Sequence, residues 1–381
     1  MADRNLVSWI SSEQSRRAKS AIAVALSFVI LLSGVGFVSW QGYSAYMDWI
    51  QKDDYIGEGE DEVQIIINVG DGWYRVADSL VAKDVIKNPG LFEKEALKLA
   101  DGPSPGTWTL FTHLPAKTAA ELLNDPKNQI VIWLTIPEGL RMVDNMFPIL
   151  IDELGVTLEE IEAALQAIME DPASIDANPA VTDRLEGFLF PDTYILYPPL
   201  DTDPTSVFHH MARQFNTVAE NIGLEAKAKE LGISTLEAVV IASIIEAEVN
   251  REEDRPKVAR AIYNRLDQDI PLGVESAFRY GRLMVDGIPY QDPITVESQQ
   301  DGSLSYNYYI KPGLPSTPIN NPGKDALQAA VNPVEGDWIY WVTVNLDTGE
   351  TKFAETEEEF AVLVDEFNRW CEDNGNPAGC S

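Results

Sequence analysis

From Ser20 to Trp40 the chain runs through 21 residues without a charge, SAIAVALSFVILLSGVGFVSW. A helix of that length matches the ~30 Å hydrocarbon core of a bilayer. No other window of the sequence comes close. Arg16, Arg17 and Lys19 sit just before the run, and Asp48, Asp53 and Asp54 follow it. Residues 1–19 carry a net +2, whereas everything after Trp40 holds 24 basic and 59 acidic side chains, a net of −35. The positive-inside rule then predicts a cytoplasmic tail over 1–19, a transmembrane helix over 20–40 and an extracytoplasmic remainder. That is the layout of a single-pass plasma-membrane protein, with Trp40, Tyr43, Tyr46 and Trp49 suited to the outer interface. A cleaved signal peptide would have a shorter apolar region, about 7–15 residues, ending at a small-x-small site. Here the run is longer and leads into Val38-Ser39-Trp40.

A length of 381 residues suggests two or three domains, and a hydrophobic fraction of 45% is enough for a sizeable core. The net charge of −33 argues against a nucleic-acid partner, because phosphate backbones are held by Lys/Arg clusters. Three His and two Cys leave little for a closed metal site, which normally takes four such ligands, and no metal or other cofactor is expected. Cys371 and Cys380 flank EDNGNPAG in a C-terminal tail over 371–381, and an extracytoplasmic setting would permit a disulfide between them.

Patterning predicts an α+β chain. After an acidic linker over 41–61, Val63–Val69 alternates like a strand. Helical spacing follows at Tyr74–Ala82 and near Leu91–Ala100, with a return strand at Thr107–Phe111. This small α+β subdomain covers 62–129. A larger mixed α/β domain over 130–370 opens on a strand at Ile130–Ile136, ended by Pro137-Glu138-Gly139. Helices are expected at Arg141–Leu154, Leu158–Glu170, Thr205–Leu224, Glu225–Leu231 and Pro256–Leu266. Long Gly/Pro-containing loops come next. A hairpin over Trp338–Val344 and Thr351–Ala354 and a helix over Glu357–Trp370 close the chain.

The most informative helix is Leu236–Val249, LEAVVIASIIEAEV. Ser234 and Glu237 fit a capping box at its start. From Ala238 to Ile245 only Ser243 is polar, and then come Glu246 and Glu248. A carboxyl in apolar surroundings is pushed towards its protonated form, which suits a general acid. The two acids lie about 200° apart around the helix, so they cannot share a site, and spacing alone does not choose between them. A pair of solvated acids at a helix end is the plainer reading. His113 is isolated, and His209-His210 are adjacent and cannot converge on a metal from one helix. No G-x-S-x-G, P-loop or dinucleotide fingerprint is present.

Six short motifs carry a resemblance: TIPEG (Thr135–Gly139), EGFLFPDTY (Glu186–Tyr194), ASIIEAE (Ala242–Glu248), VARAIYNRL (Val258–Leu266), YNYY (Tyr306–Tyr309) and GLPSTPINNPG (Gly313–Gly323). In this order, behind a single N-terminal apolar segment and a LysM-like stretch, the chain resembles the endolytic murein transglycosylases, the YceG-like or MltG family. The resemblance implies that 62–129 is a LysM-like subdomain and 130–370 the YceG-like catalytic domain. It places the catalytic glutamate on Glu246, the first Glu after the Ala-Ser-Ile run. It makes Asn264, Glu275, Tyr306 and Asn307 candidates for lining a sugar groove. Leu272–Ala277 departs from the family's usual Leu-Gln-Ser-Asp-x-Thr, with Glu275 where Asp is usual. A family His near the last helix falls on Phe360.

The implied substrate is the glycan strand of peptidoglycan, cut between N-acetylmuramic acid and N-acetylglucosamine. Glu246 would protonate the glycosidic oxygen and then, as carboxylate, take the proton of the C6 hydroxyl that attacks C1, leaving 1,6-anhydromuramyl ends. The implied role is glycan-strand termination in cell-wall assembly, near peptidoglycan synthases. The changed Leu272–Ala277 stretch motivates one alternative, a peptidoglycan-binding scaffold that no longer cuts; a water-using muramidase is a third reading.

Overall fold

The computed structural model describes Ser33, residues 37–42, 54–181 and 184–375, Pro377 and Cys380. The expected membrane-spanning helix is the first correction. Among the described residues no helix is long and apolar enough to cross a membrane. Of Ser20–Trp40, only Ser33 and residues 37–40 are described; these are helical, and the helix runs on to residue 42. The rest of the segment and the tail over 1–19 lie outside the described residues. The single-pass plasma-membrane placement built on that segment is withdrawn with it.

Two compact units follow one another, Met1–Ile130 and Val131–Ser381. In the first, β1 (Glu62–Ile67), α1 (Trp73–Ala82), α2 (Pro89–Ala96), β2 (Gly106–Phe111), α3 (Ala116–Leu122) and β3 (Gln129–Ile130) succeed one another. The strands form an antiparallel sheet in the order β1-β2-β3, with Ile65 opposite Trp108. Alternation in β1 turns Ile65 and Ile67 inward and leaves Ile66 exposed. The inward pair packs with Trp73, Leu80, Phe92, Trp108 and Leu110. Asn88 starts α2 by accepting the Leu91 N–H at 3.0 Å, with Pro89 in the first turn, where its missing N–H is harmless. His113 is a corner residue. It adopts a left-handed φ of 58° and bonds Asp84 at 3.0 Å and Glu60 at 3.1 Å.

The second unit holds β4 (Ile132–Thr135), α4 (Phe147–Leu154), α5 (Leu158–Glu170), β5 (Thr193–Leu196), α6 (Pro204–Ile222) and α7 (Leu224–Glu230). After these come α8 (Thr235–Glu248), α9 (Arg255–Asp267), α10 (Glu275–Met284), α11 (Val296–Gln300), α12 (Lys324–Ala330), β6 (Tyr340–Asn345), β7 (Glu350–Ala354) and α13 (Glu357–Asp373). The strand expected over Ile130–Ile136 is split. Its start pairs with β2, while Ile132–Thr135 pairs with β5. A π-helical turn, Met142–Met146, leads into α4. The inner faces of β4 and β5 pack on α4, α5 and α6 through Leu134, Leu196, Phe147, Leu150, Ile161 and Phe208.

A separate cluster surrounds α8. Every side chain from Ala238 to Ile245 is buried, because α7, α9, α10 and α12 pack around the helix. A helix apolar on all faces needs such a sheath. Cys371, in the last turn of α13, is disulfide-bonded to Cys380 and closes a small C-terminal loop.

Candidate active site

The expected capping box forms: Ser234 Oγ accepts the Glu237 N–H at 3.2 Å, and Glu237 Oε2 accepts the Ser234 N–H at 2.7 Å. At the other end Val249 is extended, so α8 stops at Glu248 and both acids sit in its last turn. Acids there oppose the helix dipole, so local energetics do not explain them. Glu246 Oε1 accepts Arg255 Nη2 at 2.9 Å, and Oε2 accepts the Gly323 N–H at 3.0 Å. The two side chains are 8% and 9% exposed, which makes this a buried ion pair. Two further guanidinium nitrogens of Arg255, Nε and Nη1, are buried without an acceptor.

Glu248 points elsewhere. Its oxygens accept Ser276 Oγ at 2.7 Å and Trp341 Nε1 at 3.3 Å. Burial pushes its carboxyl up, against the hydrogen bonds from Ser276 and Trp341. The desolvated surroundings sought for a general acid are thus those of Glu248, while Glu246 is held by a cation and a backbone donor. The divergent stretch explains part of this, since Ser276 belongs to it.

Four of the six motifs meet at the end of α8. Ser243, the lone polar residue of the apolar run, accepts the Ile319 N–H at 3.1 Å, and its carbonyl accepts Asn320 Nδ2 at 2.8 Å. Asn321 is fully buried. Its backbone bridges the loop after β4: Gly139 N–H to Asn321 O at 2.9 Å, Asn321 N–H to Leu140 O at 3.0 Å. Its side-chain oxygen accepts the Gly187 N–H at 2.9 Å and the Leu189 N–H at 3.3 Å. Its Nδ2 donates to Glu186 Oε1 at 3.1 Å. Glu186, 2% exposed, also accepts the Met142 N–H at 3.0 Å, and burial pushes its carboxyl up to about 7. Gly187 is obligatory, because a Cβ there would lie 2.5 Å from Pro318.

The other residues proposed for the groove are arranged differently. Asn264 donates to Gly336 O and Trp338 O, both at 2.9 Å, and so anchors the segment before β6. Asn307 is fully buried, and its amide donates to Gln299 O at 3.0 Å and Asp301 O at 2.8 Å. Both amides are occupied by backbone carbonyls and hold loops. Glu275 is exposed at the start of α10, paired with Arg279 at 2.6 Å. The Tyr306 hydroxyl reaches Thr317 Oγ1 at 2.6 Å and Ser316 Oγ at 3.1 Å, joining the Tyr-Asn-Tyr-Tyr and Gly-Leu-Pro motifs. His209 pairs with Asp176 and His210 with Asp201. Phe360 stacks on Tyr340.

One residue beside Glu246 was missed. Glu138, in the Thr-Ile-Pro-Glu-Gly motif, lies against Gly323, where a Cβ would fall 2.0 Å from its Cδ and Oε1. Gly139 next to it, with φ +74°, would carry a Cβ 3.4 Å from Glu246 Cγ. Desolvation and the Glu246 charge push the Glu138 carboxyl up, and Arg255 opposes them. The motif was visible; that its Glu meets Glu246 was not. A cavity of about 1050 Å³ is lined by Asn178, Asn216, Gly223 and Thr235 and does not include these carboxyls.

The model of the YceG-like family matches residues 65–366. The chain belongs to that family. An endolytic murein transglycosylase of Bacillus subtilis (strain 168) is 28% identical over 309 residues, covering 78% of this chain and 82% of that protein. Another, an endolytic murein transglycosylase of Streptococcus pneumoniae (strain ATCC BAA-255 / R6), is 24% identical over 371 residues. The match covers 88% of this chain but only 64% of the pneumococcal protein. A solved yceG-like protein from Listeria monocytogenes is 22% identical, with a TM-score of 0.49, over 80% of this chain and 100% of that one.

Proposed function

We propose that this chain is a lyase that cuts peptidoglycan glycan strands internally between N-acetylmuramic acid and N-acetylglucosamine, leaving 1,6-anhydromuramyl ends. The observation that carries the reading is Glu246, buried at the end of an apolar helix and gripped by Arg255 and the Gly323 N–H in a YceG-like chain. Glu246 protonates the bridging oxygen as the C1–O bond breaks. The C6 hydroxyl of the same muramyl residue attacks C1 and gives its proton to a carboxylate of the site. An internal nucleophile brings a large proximity advantage, and no water enters the product. Most glycosidases instead need two carboxyls flanking the bond to bring in a nucleophile from outside the sugar. The strand–helix–helix–strand order of the first unit supports reading 62–129 as a LysM-like glycan-binding module, with 130–370 as the catalytic part.

Mass spectrometry of digests of purified glycan strands tests the reading. Wild-type protein should release anhydromuramyl ends, and Glu246→Gln should lose about 100-fold or more in rate. Because Arg255 loses its charged partner, Glu246→Gln should also be less stable by up to about 3 kcal/mol. Glu246→Asp, which keeps the charge but withdraws the carboxyl, separates the two effects. Reducing ends in place of anhydro ends would favour a muramidase. Binding to sacculi with no new ends would favour the scaffold.

A further inference from the structure

The reaction above needs a carboxylate to receive the C6 hydroxyl proton, and Glu246 is not the only carboxyl at the site. Each Glu246 oxygen accepts a hydrogen bond from the protein, one from Arg255 and one from Gly323, which fixes its position. Glu138 differs on every count. It is exposed, and among the described residues its carboxyl accepts no hydrogen bond. Acids that serve only the fold, such as Glu186 and Glu237, are bonded to backbone N–H groups. Glu138 is nevertheless held against the same Gly323 that grips Glu246. The groups acting on its charge are Glu246 of α8, Arg255 of α9 and Asp325 of α12. Arg255 is 8% exposed, and its Nε and Nη1 have no acceptor, so the pocket is built for more acceptors than Glu246 supplies.

We propose that Glu138 is a second catalytic carboxylate, the base that takes the C6 hydroxyl proton while Glu246 acts as the acid. The inference rests on the lytic-transglycosylase reading. Glu246 delivers its proton to the bridging oxygen, which leaves with the electron pair of the C1–O bond. An oxygen lone pair of the C6 hydroxyl forms the new C1–O6 bond. The proton released from O6 goes to the Glu138 carboxylate. Return of that proton to Glu246 through solvent resets the pair, with no net consumption of acid or base. Division of labour leaves the acid locked in place and the base free to reach the sugar.

Three variants test it on purified glycan strands. Glu138→Gln should fold and melt like wild type, because it loses no internal hydrogen bond. Its kcat should fall about 100-fold, with KM unchanged within about twofold. Glu138→Ala should be equally slow, and sodium formate should restore its rate at least about tenfold, because a small carboxylate can occupy the vacated exposed space. Gly323→Ala should also be slow, because its Cβ displaces the Glu138 carboxyl while a φ of −76° suits alanine. Activity of Glu138→Gln within about threefold of wild type overturns the inference. So does a loss confined to KM, or a Glu138→Ala that formate does not restore. Each of these outcomes leaves the lyase reading standing if wild type yields anhydro ends. Absence of anhydro ends from wild type defeats both.

Discussion

Arg255 is the side chain on which the proposed acid depends. It stands nine residues beyond Glu246, on the next helix, and it is buried with it. Lysine in its place keeps the charge but loses the planar fork that reaches Oε1. Arg255→Lys should lower kcat by at least about tenfold and unfold at lower urea, since a distorted buried pair is poorly compensated. Residue by residue, spacing led only to a choice between two acids, and the family resemblance placed the role on Glu246. Apolar surroundings were expected to mark the acid, and they mark Glu248. The partners that distinguish Glu246 come from Arg255 and from a backbone amide 77 residues away, and no local pattern encodes that meeting. The family resemblance made Asn264 and Asn307 candidates for lining a sugar groove. Folding instead directs both onto backbone carbonyls. Asn307→Ala should therefore reduce stability by about 2 kcal/mol, with KM little changed in the folded fraction. Calorimetry beside a strand-cleavage assay measures both.

At the scale of elements, periodicity located most helices and the closing hairpin, and it failed where glycine serves packing. Gly281 made α10 look like loop. It lies inside that helix because a Cβ there would come within 2.4 Å of the Tyr306 Cβ. The strand at Ile130–Ile136 read as one run, since apolar spacing does not reveal that its halves pair with different strands. Glu186 ties β4's exit, the π-helical turn and the Asn321 loop together through a carboxyl shifted to about 7. Its folded value lies above the ordinary 4.5, so between about pH 4.5 and 7 only the folded state holds this proton. Stability from this group is full below that window, falls across it as pH rises, and is level above it. The total loss is on the order of 3 kcal/mol. Wild type should melt at lower temperature at pH 8 than at pH 5.5, and Glu186→Gln, which keeps the acceptor for Met142 and Asn321, should narrow that difference.

For the whole molecule, the net charge of −33 is the dominant physical fact. Like charges at this density repel within each unit, and added salt screens them over a length that falls from about 30 Å at 0.01 M to about 8 Å at 0.15 M. Raising sodium chloride across that range should increase the melting temperature by several degrees, which a thermal scan in a pH-matched series measures. The same charge excluded nucleic acid at the outset, yet it said nothing of where the carboxyls that matter would meet. Those lie where four distant motifs close on Asn321, and the order of the chain gives that closure a consequence during synthesis. The Gly323 amide emerges 77 residues after Glu246, and the loop it completes must bond to Leu140, made 181 residues before Asn321. A nascent or truncated chain ending before that point has its acid but not its grip. An enzyme that cuts a polymer its own cell depends on would thus stay inert until synthesis has passed Gly323.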